Sequence, residues 1–161
     1  MTKSPQVVSP QKCGFVAVIG PPNAGKSTLS NALVGQKVAI VTQKAQTTRM
    51  RLRAVVMHQQ SQIILVDTPG IFEAKQRFDR AMVNEAWLGV NDADQVLVVL
   101  DAARAETPEV DLMLEGLSRS EKQISLVLNK IDTVPHESLL ALVQKLNDRV
   151  NFADTFLISA L

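Results

Sequence analysis

The clearest indication of the fold is the segment Gly20-Pro21-Pro22-Asn23-Ala24-Gly25-Lys26-Ser27. It fits the pattern G-x-x-x-x-G-K-[ST] of a phosphate-binding loop, or P-loop. The flanking residues support the match, because 15–19 are apolar like a buried strand and 28–33 have the spacing of a helix. A strand that runs through such a loop into a helix directs backbone N–H groups and the positive end of the helix at one point. The sequence therefore predicts a polyphosphate site here.

The P-loop pattern also assigns roles to single residues. Lys26 is expected to reach the β- and γ-phosphates, and the Ser27 hydroxyl is expected to bind Mg²⁺. A glycine-rich turn without a ligand is the alternative, and the flanking strand and helix disfavour it. The candidate nucleotide-binding residues of this loop are Pro22, Asn23, Ala24, Gly25, Lys26, Ser27 and Thr28.

The composition is that of one globular domain. The 161 residues are enough to bury a core, and 46% hydrophobic and 20% charged residues are ordinary for a soluble protein. Seventeen basic and sixteen acidic residues leave a net charge of +1, so charge gives no argument for nucleic-acid binding. Cys13 is the single cysteine, which excludes a disulfide framework or zinc cluster and favours a reducing cytoplasm. No apolar run approaches the ~20 residues that span a bilayer.

The rest of the chain alternates apolar strands with amphipathic helices. Strands are predicted at 51–57, 61–66, 95–100, 124–128 and 155–158, and helices at 76–91, 107–119 and 135–150. The connection at 58–60 is too short for a parallel crossover, so the strands on either side of it should be antiparallel. We predict an α/β fold of the P-loop NTPase class, with a mostly parallel six-stranded sheet, one antiparallel edge strand and helices on both faces.

The predicted strand at 61–66 is followed directly by Asp67-Thr68-Pro69-Gly70. Ligands of α/β sheets bind at the carboxyl ends of the strands. In a P-loop protein an aspartate here would hold Mg²⁺ with the P-loop serine, and Gly70 would offer its N–H to the γ-phosphate. The alternative is a plain turn, because Asp-x-Pro-Gly is also good turn chemistry.

Asn129-Lys130-Ile131-Asp132 follows the predicted strand at 124–128 and indicates the base. Guanine presents N1–H and an exocyclic amine on one edge, so one carboxylate, that of Asp132, can accept from both. Adenine offers no matching pair of donors. A site whose polar groups would be left unpaired by the wrong base rejects that base strongly.

Four further groups complete the predicted base site. Asn129 would contact the other edge of the base and tie this loop to the P-loop, while the alkyl stem of Lys130 would lie along the base plane. After the last strand, Ser159 and Ala160 follow, and the Ala160 N–H would donate to the guanine O6. The sequence thus predicts a site for GTP and GDP rather than for adenine nucleotides.

In this order the motifs resemble the translation-factor-like branch of the small GTPases. The runs Gly35-Gln36-Lys37-Val38 and Lys44-Ala45-Gln46-Thr47-Thr48-Arg49 narrow the resemblance to the Era family, bacterial GTPases of small-subunit ribosome assembly. The resemblance covers about 13–161, after a predicted flexible leader at 1–12 that lacks the apolar stretch of a signal peptide. It implies a Mg²⁺-dependent enzyme that hydrolyses GTP to GDP and phosphate and acts as a molecular switch.

The resemblance also implies roles in two switch segments, 42–49 and 67–77. In such GTPases the threonine before the arginine closes on Mg²⁺ and the γ-phosphate; by position this is Thr48, with Thr47 as the alternative. The implied catalytic residues are Lys26, Asn23, Thr48 and Gly70, and the implied metal ligands are Ser27, Thr48 and Asp67.

Two positions bear on the rate of hydrolysis. Ile71 is at the position where Ras-like GTPases carry the glutamine that orients water, and an aliphatic side chain cannot do this. We therefore expect slow turnover by the domain alone, or another catalytic route. Asn23 stands where potassium-stimulated relatives carry an asparagine that helps hold K⁺ beside the phosphates. The resemblance therefore implies K⁺ as a further cofactor.

The resemblance predicts that this chain is a truncated GTPase domain. Era proteins continue with a further helix, which would be missing here, and then a KH-type RNA-binding domain. Binding of 16S rRNA and of the small ribosomal subunit is therefore expected of a longer parent through its KH domain. Cytoplasmic location is expected, and peripheral association with the inner membrane is implied by family alone. The sequence indicates no oligomeric state.

Two alternative functions stay open at this point. One is a guanine-nucleotide-binding module with negligible turnover in isolation. The other is a related tandem GTPase or tRNA-modification GTPase, which shares Thr-Thr-Arg or Thr-Arg in its first switch. The Lys44-Ala45-Gln46 that precedes those residues here argues against the second alternative.

Overall fold

A computed structural model of the chain describes residues 12–35, 52–67, 87 and 89–160. Most of the predicted leader, most of the helix predicted at 76–91, and both switch segments apart from Asp67 lie outside these residues. Within the described part the predicted order of strands and helices is confirmed, and the differences lie at the ends of the elements.

The described strands form one six-stranded sheet in the order β2-β3-β1-β4-β5-β6. Their bounds are β1 Lys12–Ile19, β2 Leu52–His58, β3 Ser61–Asp67, β4 Gln95–Asp101, β5 Gln123–Asn129 and β6 Asp154–Leu157. Strand β1 is parallel to β3 and β4, and β5 is parallel to β4 and β6. Strand β2 is antiparallel to β3 and forms one edge. The predicted fold class, with a mostly parallel sheet and one antiparallel edge strand, is confirmed.

Strand β1 begins earlier than the apolar run indicated. The prediction started it at Phe15 and assigned Lys12 to the leader, whereas Lys12 is the first residue of the strand. Lys12 pairs with Ser61 of β3, and its N–H donates to the Gln60 carbonyl at 3.1 Å. Backbone pairing therefore extends the strand into exposed positions, where apolar side chains are not required.

The helices begin and end close to their predicted positions. Helix α1 spans Lys26–Gly35, α2 spans Pro108–Ser118 and α3 spans His136–Asn147, and residues 87 and 89–92 are also helical. Thr107 is the N-cap of α2 and Pro108 is its first residue, although the Thr107 side chain makes no capping hydrogen bond. Helix α3 is shorter than predicted, because Pro135 is its N-cap and Asp148 its C-cap.

The helices cover both faces of the sheet. On one face Ala24 and Leu29 pack with Val18, Val99 and Val127 of the strands. On the other face α2, α3 and Trp87 cover a larger cluster. Its fully buried side chains include Ile19, Leu100, Met113, Leu114, Leu117, Leu126, Leu128 and Leu146.

Trp87 is partly buried and packs against the larger core cluster. Its ring lies against Gly116 of α2, where an added Cβ would come within 2.4 Å of the indole. A side chain at position 116 would therefore displace the indole, which is the physical reason for a glycine in the middle of this helix.

Parallel strands bring their carboxyl ends to one edge of the sheet. Strand β1 runs into the P-loop there, β4 ends in Asp101, and β5 ends in Asn129, which pairs directly with Asp101. The predicted phosphate and base segments are therefore neighbours at this edge, although they are far apart in sequence.

Candidate nucleotide-binding site

The P-loop has a backbone that ordinary side chains could not accommodate. Gly20 has φ 153° and Gly25 has φ 97°, both in the region that favours glycine. A Cβ on Gly20 would lie 2.1 Å from the Val99 carbonyl oxygen, and one on Gly25 would lie 2.1 Å from the Asn129 side-chain nitrogen. The two glycines of the motif are thus required by close packing against β4 and against Asn129.

Lys26 is the first residue of α1, and its side chain folds back over the loop. Its ammonium donates to the carbonyl oxygens of Gly20 and Pro21, each at 2.8 Å. Across the same loop, the Ala24 N–H approaches the Pro21 carbonyl at 3.4 Å. The positive charge of Lys26 is therefore held at the mouth of the loop, beside the positive end of the helix.

Asn129 joins the predicted guanine-binding segment 129–132, called the base loop below, to the P-loop and to the segment after β6. Its side chain is 2% exposed, and its amide nitrogen donates to the Ala24 carbonyl at 2.9 Å. Its side-chain oxygen accepts from the N–H groups of Lys130 at 2.8 Å and Ala160 at 3.0 Å. The link that the sequence predicts between this loop and the P-loop is therefore present.

Lys130 makes a second link to the P-loop. Its backbone is left-handed, with φ 59°, and its ammonium donates to the Asn23 carbonyl at 2.8 Å and to the Asp101 carboxylate at 2.7 Å. Sequence reasoning assigned no role to Asp101. The available signal was its place at the carboxyl end of an apolar strand, the same signal that singled out Asp67.

Asp132 and Ser159 are hydrogen-bonded to each other. The Ser159 hydroxyl donates to an Asp132 carboxylate oxygen at 2.5 Å, and both side chains are exposed. The Ile131 N–H donates to the Ile158 carbonyl at 3.3 Å, which holds the two loops together. A carboxylate and a hydroxyl thus stand side by side at the rim of the site.

Ala160 differs from the prediction in one respect. Its N–H was assigned to the guanine O6, whereas in the structure it donates to Asn129. An N–H has one proton, so a contact with O6 requires that proton to be shared with Asn129 or released from it.

Several predicted site residues lie outside the described part of the chain. They are Thr47, Thr48, Gly70 and Ile71, and of Asp67 the structure describes the backbone at the end of β3 but not the side chain. Pro22, Asn23, Ser27 and Thr28 are exposed, and Ala24 is buried. The structure thus brings together the P-loop, Asn129, Lys130, Asp132, Ser159 and Ala160, and leaves the switch residues as predictions.

Residues 12–35, 52–67, 87 and 89–160 contain neither a cluster of metal-binding side chains nor a membrane-spanning helix. No group of three or more histidine, cysteine, aspartate or glutamate side chains is placed to hold a metal ion in this part of the chain. Among the same residues no helix is long and apolar enough to cross a membrane.

Comparisons with known proteins point in one direction. Residues 15–130 match the family model described as 50S ribosome-binding GTPase. The GTPase Era of Bradyrhizobium sp. (strain ORS 278) is 56% identical over 150 residues, which cover 93% of this chain and 49% of that protein. The chain therefore spans about half the length of the curated relatives that it matches.

Two solved structures that are similar to this chain are also of Era proteins. An alanine variant of Era from Aquifex aeolicus bound to GDP·AlF4⁻ has a TM-score of 0.75 and 37% identity, over 94% of this chain and 52% of that one. Era in complex with MgGDPNP and nucleotides 1506–1542 of 16S ribosomal RNA has a TM-score of 0.76 at the same identity and coverage. The resemblance inferred from the motifs is confirmed at the level of the family.

Proposed function

Because this chain belongs to the 50S ribosome-binding GTPase family, we propose that it is the GTP-binding and GTP-hydrolysing part of an Era-type molecular switch. One observation carries the proposal. Asn129 donates to Ala24 and Lys130 donates to Asn23, so the loop with the guanine motif is bonded to two successive residues of the P-loop. Such an arrangement suits one ligand with a purine at one end and a polyphosphate at the other.

The phosphates are bound by the P-loop. Its amides and the start of α1 offer hydrogen-bond donors and a positive potential. The Lys26 ammonium adds a full positive charge and would turn from the loop carbonyls to the β- and γ-phosphates. These groups stabilise the charge that develops on the phosphoryl oxygens during transfer. The Gly70 N–H contributes a further donor to the γ-phosphate.

Mg²⁺ fits the oxygen donors that this chain offers. Ser27 lies in the first turn of α1, and Asp67 ends β3, whose backbone pairs with Val18 of β1 just before the loop. A hydroxyl and a carboxylate are the ligands that Mg²⁺ prefers, together with water and phosphate oxygens. Ser27, Asp67 and Thr48 would hold the ion, which would neutralise phosphate charge.

The guanine is selected by Asp132. Its carboxylate accepts from N1–H and from the exocyclic amine, while Asn129 and Ala160 contact the opposite edge. Ser159 keeps the carboxylate in place through their hydrogen bond. Adenine would leave these groups unpaired, which costs more than the lost contacts themselves.

Calorimetry with the folded chain and Mg²⁺ tests the nucleotide proposal. We expect GDP uptake that persists in millimolar ATP, and the variant Asp132→Asn should prefer xanthosine diphosphate, whose O2 acceptor matches an amide donor. Loss of GDP to equimolar ATP, or no uptake of GDP at all, would refute the proposal.

Hydrolysis by the chain alone is expected to be slow. Ile71 cannot orient water, and Asn23 is proposed to help hold K⁺, a charge that would stand in for an arginine finger. Single-turnover rates in KCl should exceed those in NaCl, and equal rates would remove this role from Asn23. Absence of turnover in both salts, with GDP binding intact, would favour the alternative of a binding module.

The proposal extends to the partners of a longer parent. Era in the complex described above binds 16S ribosomal RNA. We propose that a parent of this chain acts on the small ribosomal subunit in the cytoplasm through its KH domain, and that this chain alone binds that RNA poorly. Peripheral membrane association rests on the family alone. Gel-shift titration of a fragment with nucleotides 1506–1542 of 16S rRNA with this chain tests the point, and tight binding would contradict it.

A further inference from the structure

We infer that Asp101 is a positioning residue of the nucleotide site, which sets the conformation of the P-loop through Lys130. The inference rests on the proposed function and adds to it a residue outside the predicted motifs. Asp101 is not expected to touch the nucleotide. Its effect is expected to pass through the Lys130 ammonium to the Asn23–Ala24 peptide group.

The position of Asp101 is fixed by the sheet. It is the last residue of β4 and pairs with Asn129 of β5. One carboxylate oxygen accepts from the Ala103 N–H at 3.0 Å, which caps the 3-10 turn at Ala102–Arg104. The other oxygen accepts from Lys130 at 2.7 Å, and the Asp101 side chain is 14% exposed. The bond from Ala103 and the pairing of β4 with β5 therefore fix the Asp101 carboxylate independently of its bond to Lys130.

The Lys130 ammonium connects this carboxylate to the P-loop. It bonds the Asn23 carbonyl at 2.8 Å, while Asn129 bonds the next carbonyl, that of Ala24, at 2.9 Å. Two successive peptide groups of the loop are thus held from the side of the base loop. In a planar trans peptide the N–H points opposite to the C=O.

The direction of the Ala24 amide follows from this geometry. The Asn23 carbonyl and the Ala24 N–H belong to one peptide group, so holding the carbonyl aims the N–H to the other side. The Ala24 N–H indeed approaches the Pro21 carbonyl across the loop, at 3.4 Å. Lys130 thus helps set the direction of the Ala24 amide, and a phosphate that accepts from this N–H would replace the Pro21 carbonyl as its acceptor.

Asp101 determines whether Lys130 stays in this place. A lysine ammonium on a four-carbon stem is mobile, and the Lys130 side chain is 35% exposed. The Asp101 carboxylate carries a full negative charge opposite the ammonium, whereas the Asn23 carbonyl is neutral, so the carboxylate contributes more than the carbonyl to holding the ammonium. Asn23 and Lys130 both have left-handed backbones, with φ 62° and 59°, and such conformations persist where surrounding contacts enforce them.

A double-mutant cycle tests whether Asp101 acts on the P-loop through the Lys130 ammonium or has a purely structural role. Asp101→Asn keeps an oxygen for Ala103 and removes the charge that faces Lys130, and Lys130→Met keeps the alkyl stem and removes the ammonium. With fluorescent GDP we expect affinity to fall about tenfold for Asp101→Asn and about a hundredfold for Lys130→Met. The double variant should bind no more weakly than Lys130→Met, because Asp101 acts through that ammonium.

Two controls complete the design. Asp111→Asn removes the carboxylate that pairs with Arg149 on exposed surface and should leave GDP affinity unchanged. Asp101→Glu keeps the charge and should recover part of the loss. Thermal melts establish that each variant is folded, and the Ala24 amide resonance of the nucleotide-free chain should shift in Asp101→Asn and Lys130→Met but not in Asp111→Asn.

The outcomes distinguish the inference from its premise. Three results would each overturn the role of Asp101 and leave the proposed function intact. They are a GDP affinity of Asp101→Asn within twofold of the parent, additive losses of affinity in the double variant, and an unshifted Ala24 amide resonance. If the unsubstituted chain is folded and takes up no GDP, the proposed function and the role of Asp101 are both overturned.

Discussion

The two loops that meet at the carboxyl edge of the sheet are built in opposite ways. The P-loop depends on the absence of side chains, because Gly20 and Gly25 approach Val99 and Asn129 too closely for a Cβ. The base loop depends on particular side chains, because Asn129 and Lys130 make its links to the P-loop. A substitution in the P-loop should therefore act by steric conflict, and one in the base loop by loss of hydrogen bonds.

The largest effect is expected where the two loops touch. In Gly25→Ala the new methyl group would overlap the Asn129 side-chain nitrogen, 2.1 Å away, and φ 97° would strain the alanine. Both loops would shift, so calorimetry should show GDP affinity lowered on the order of a thousandfold.

Gly35→Ala is the matched control, because a Cβ there meets nothing within 4 Å among the described residues. Its GDP affinity should equal that of the parent. Binding by Gly25→Ala within tenfold of the parent would show that the P-loop tolerates a side chain, and the contrast between the two loops would not hold.

A smaller effect is expected in the base loop. Asn129→Ala removes one bond to Ala24 and two bonds from backbone N–H groups, all at a buried position. We expect GDP affinity to fall about a hundredfold and the free energy of unfolding to fall by about 2–4 kcal/mol, from urea titrations.

Asn147→Ala provides the comparison for that variant. This exposed asparagine of α3 bonds the Val143 carbonyl on its own helix, so its loss should change stability by less than about 1 kcal/mol. Equal destabilisation by the two substitutions would show that Asn129 contributes as an ordinary polar residue and not as the connection between loops.

The smallest effect is expected on α1, behind the P-loop. Ser30 is 1% exposed, and its hydroxyl has no hydrogen-bond partner in the part of the chain that the structure describes. Ser30→Ala should therefore raise the free energy of unfolding by about 1 kcal/mol, with GDP affinity unchanged. A fall in the melting temperature would show that the hydroxyl is paired and that this side of the site also relies on side-chain bonds.

The motifs predicted much of the site because each is a local requirement. The pattern at 20–27 needs glycine, lysine and serine at set spacings, and the strand and helix around it follow from hydrophobic periodicity. The short turn before Ser61 was enough to predict that β2 and β3 are antiparallel. The tie from Asn129 to the P-loop was also predicted, from the role of its motif.

Asp101 and Ala160 show where local reasoning stopped. Asp101 belongs to no motif, and its role depends on the pairing of β4 with β5 and on the left-handed turn at Lys130. The Ala160 N–H bonds Asn129, a residue distant in sequence, and spacing along the chain gives no sign of such a contact. Lys12 joined β1 for a similar reason, since its partner Ser61 lies on another strand.

Local chemistry along the chain was sufficient to give the order of strands and to predict a phosphate loop and a preference for guanine, since turns, periodicity and motif spacing act over a few residues. Tertiary structure alone decided that a carboxylate at the end of β4 holds the lysine that holds the P-loop. Such a contact exists only after the parallel strands are in register, because register brings their carboxyl ends to one edge and sets which side chains meet there.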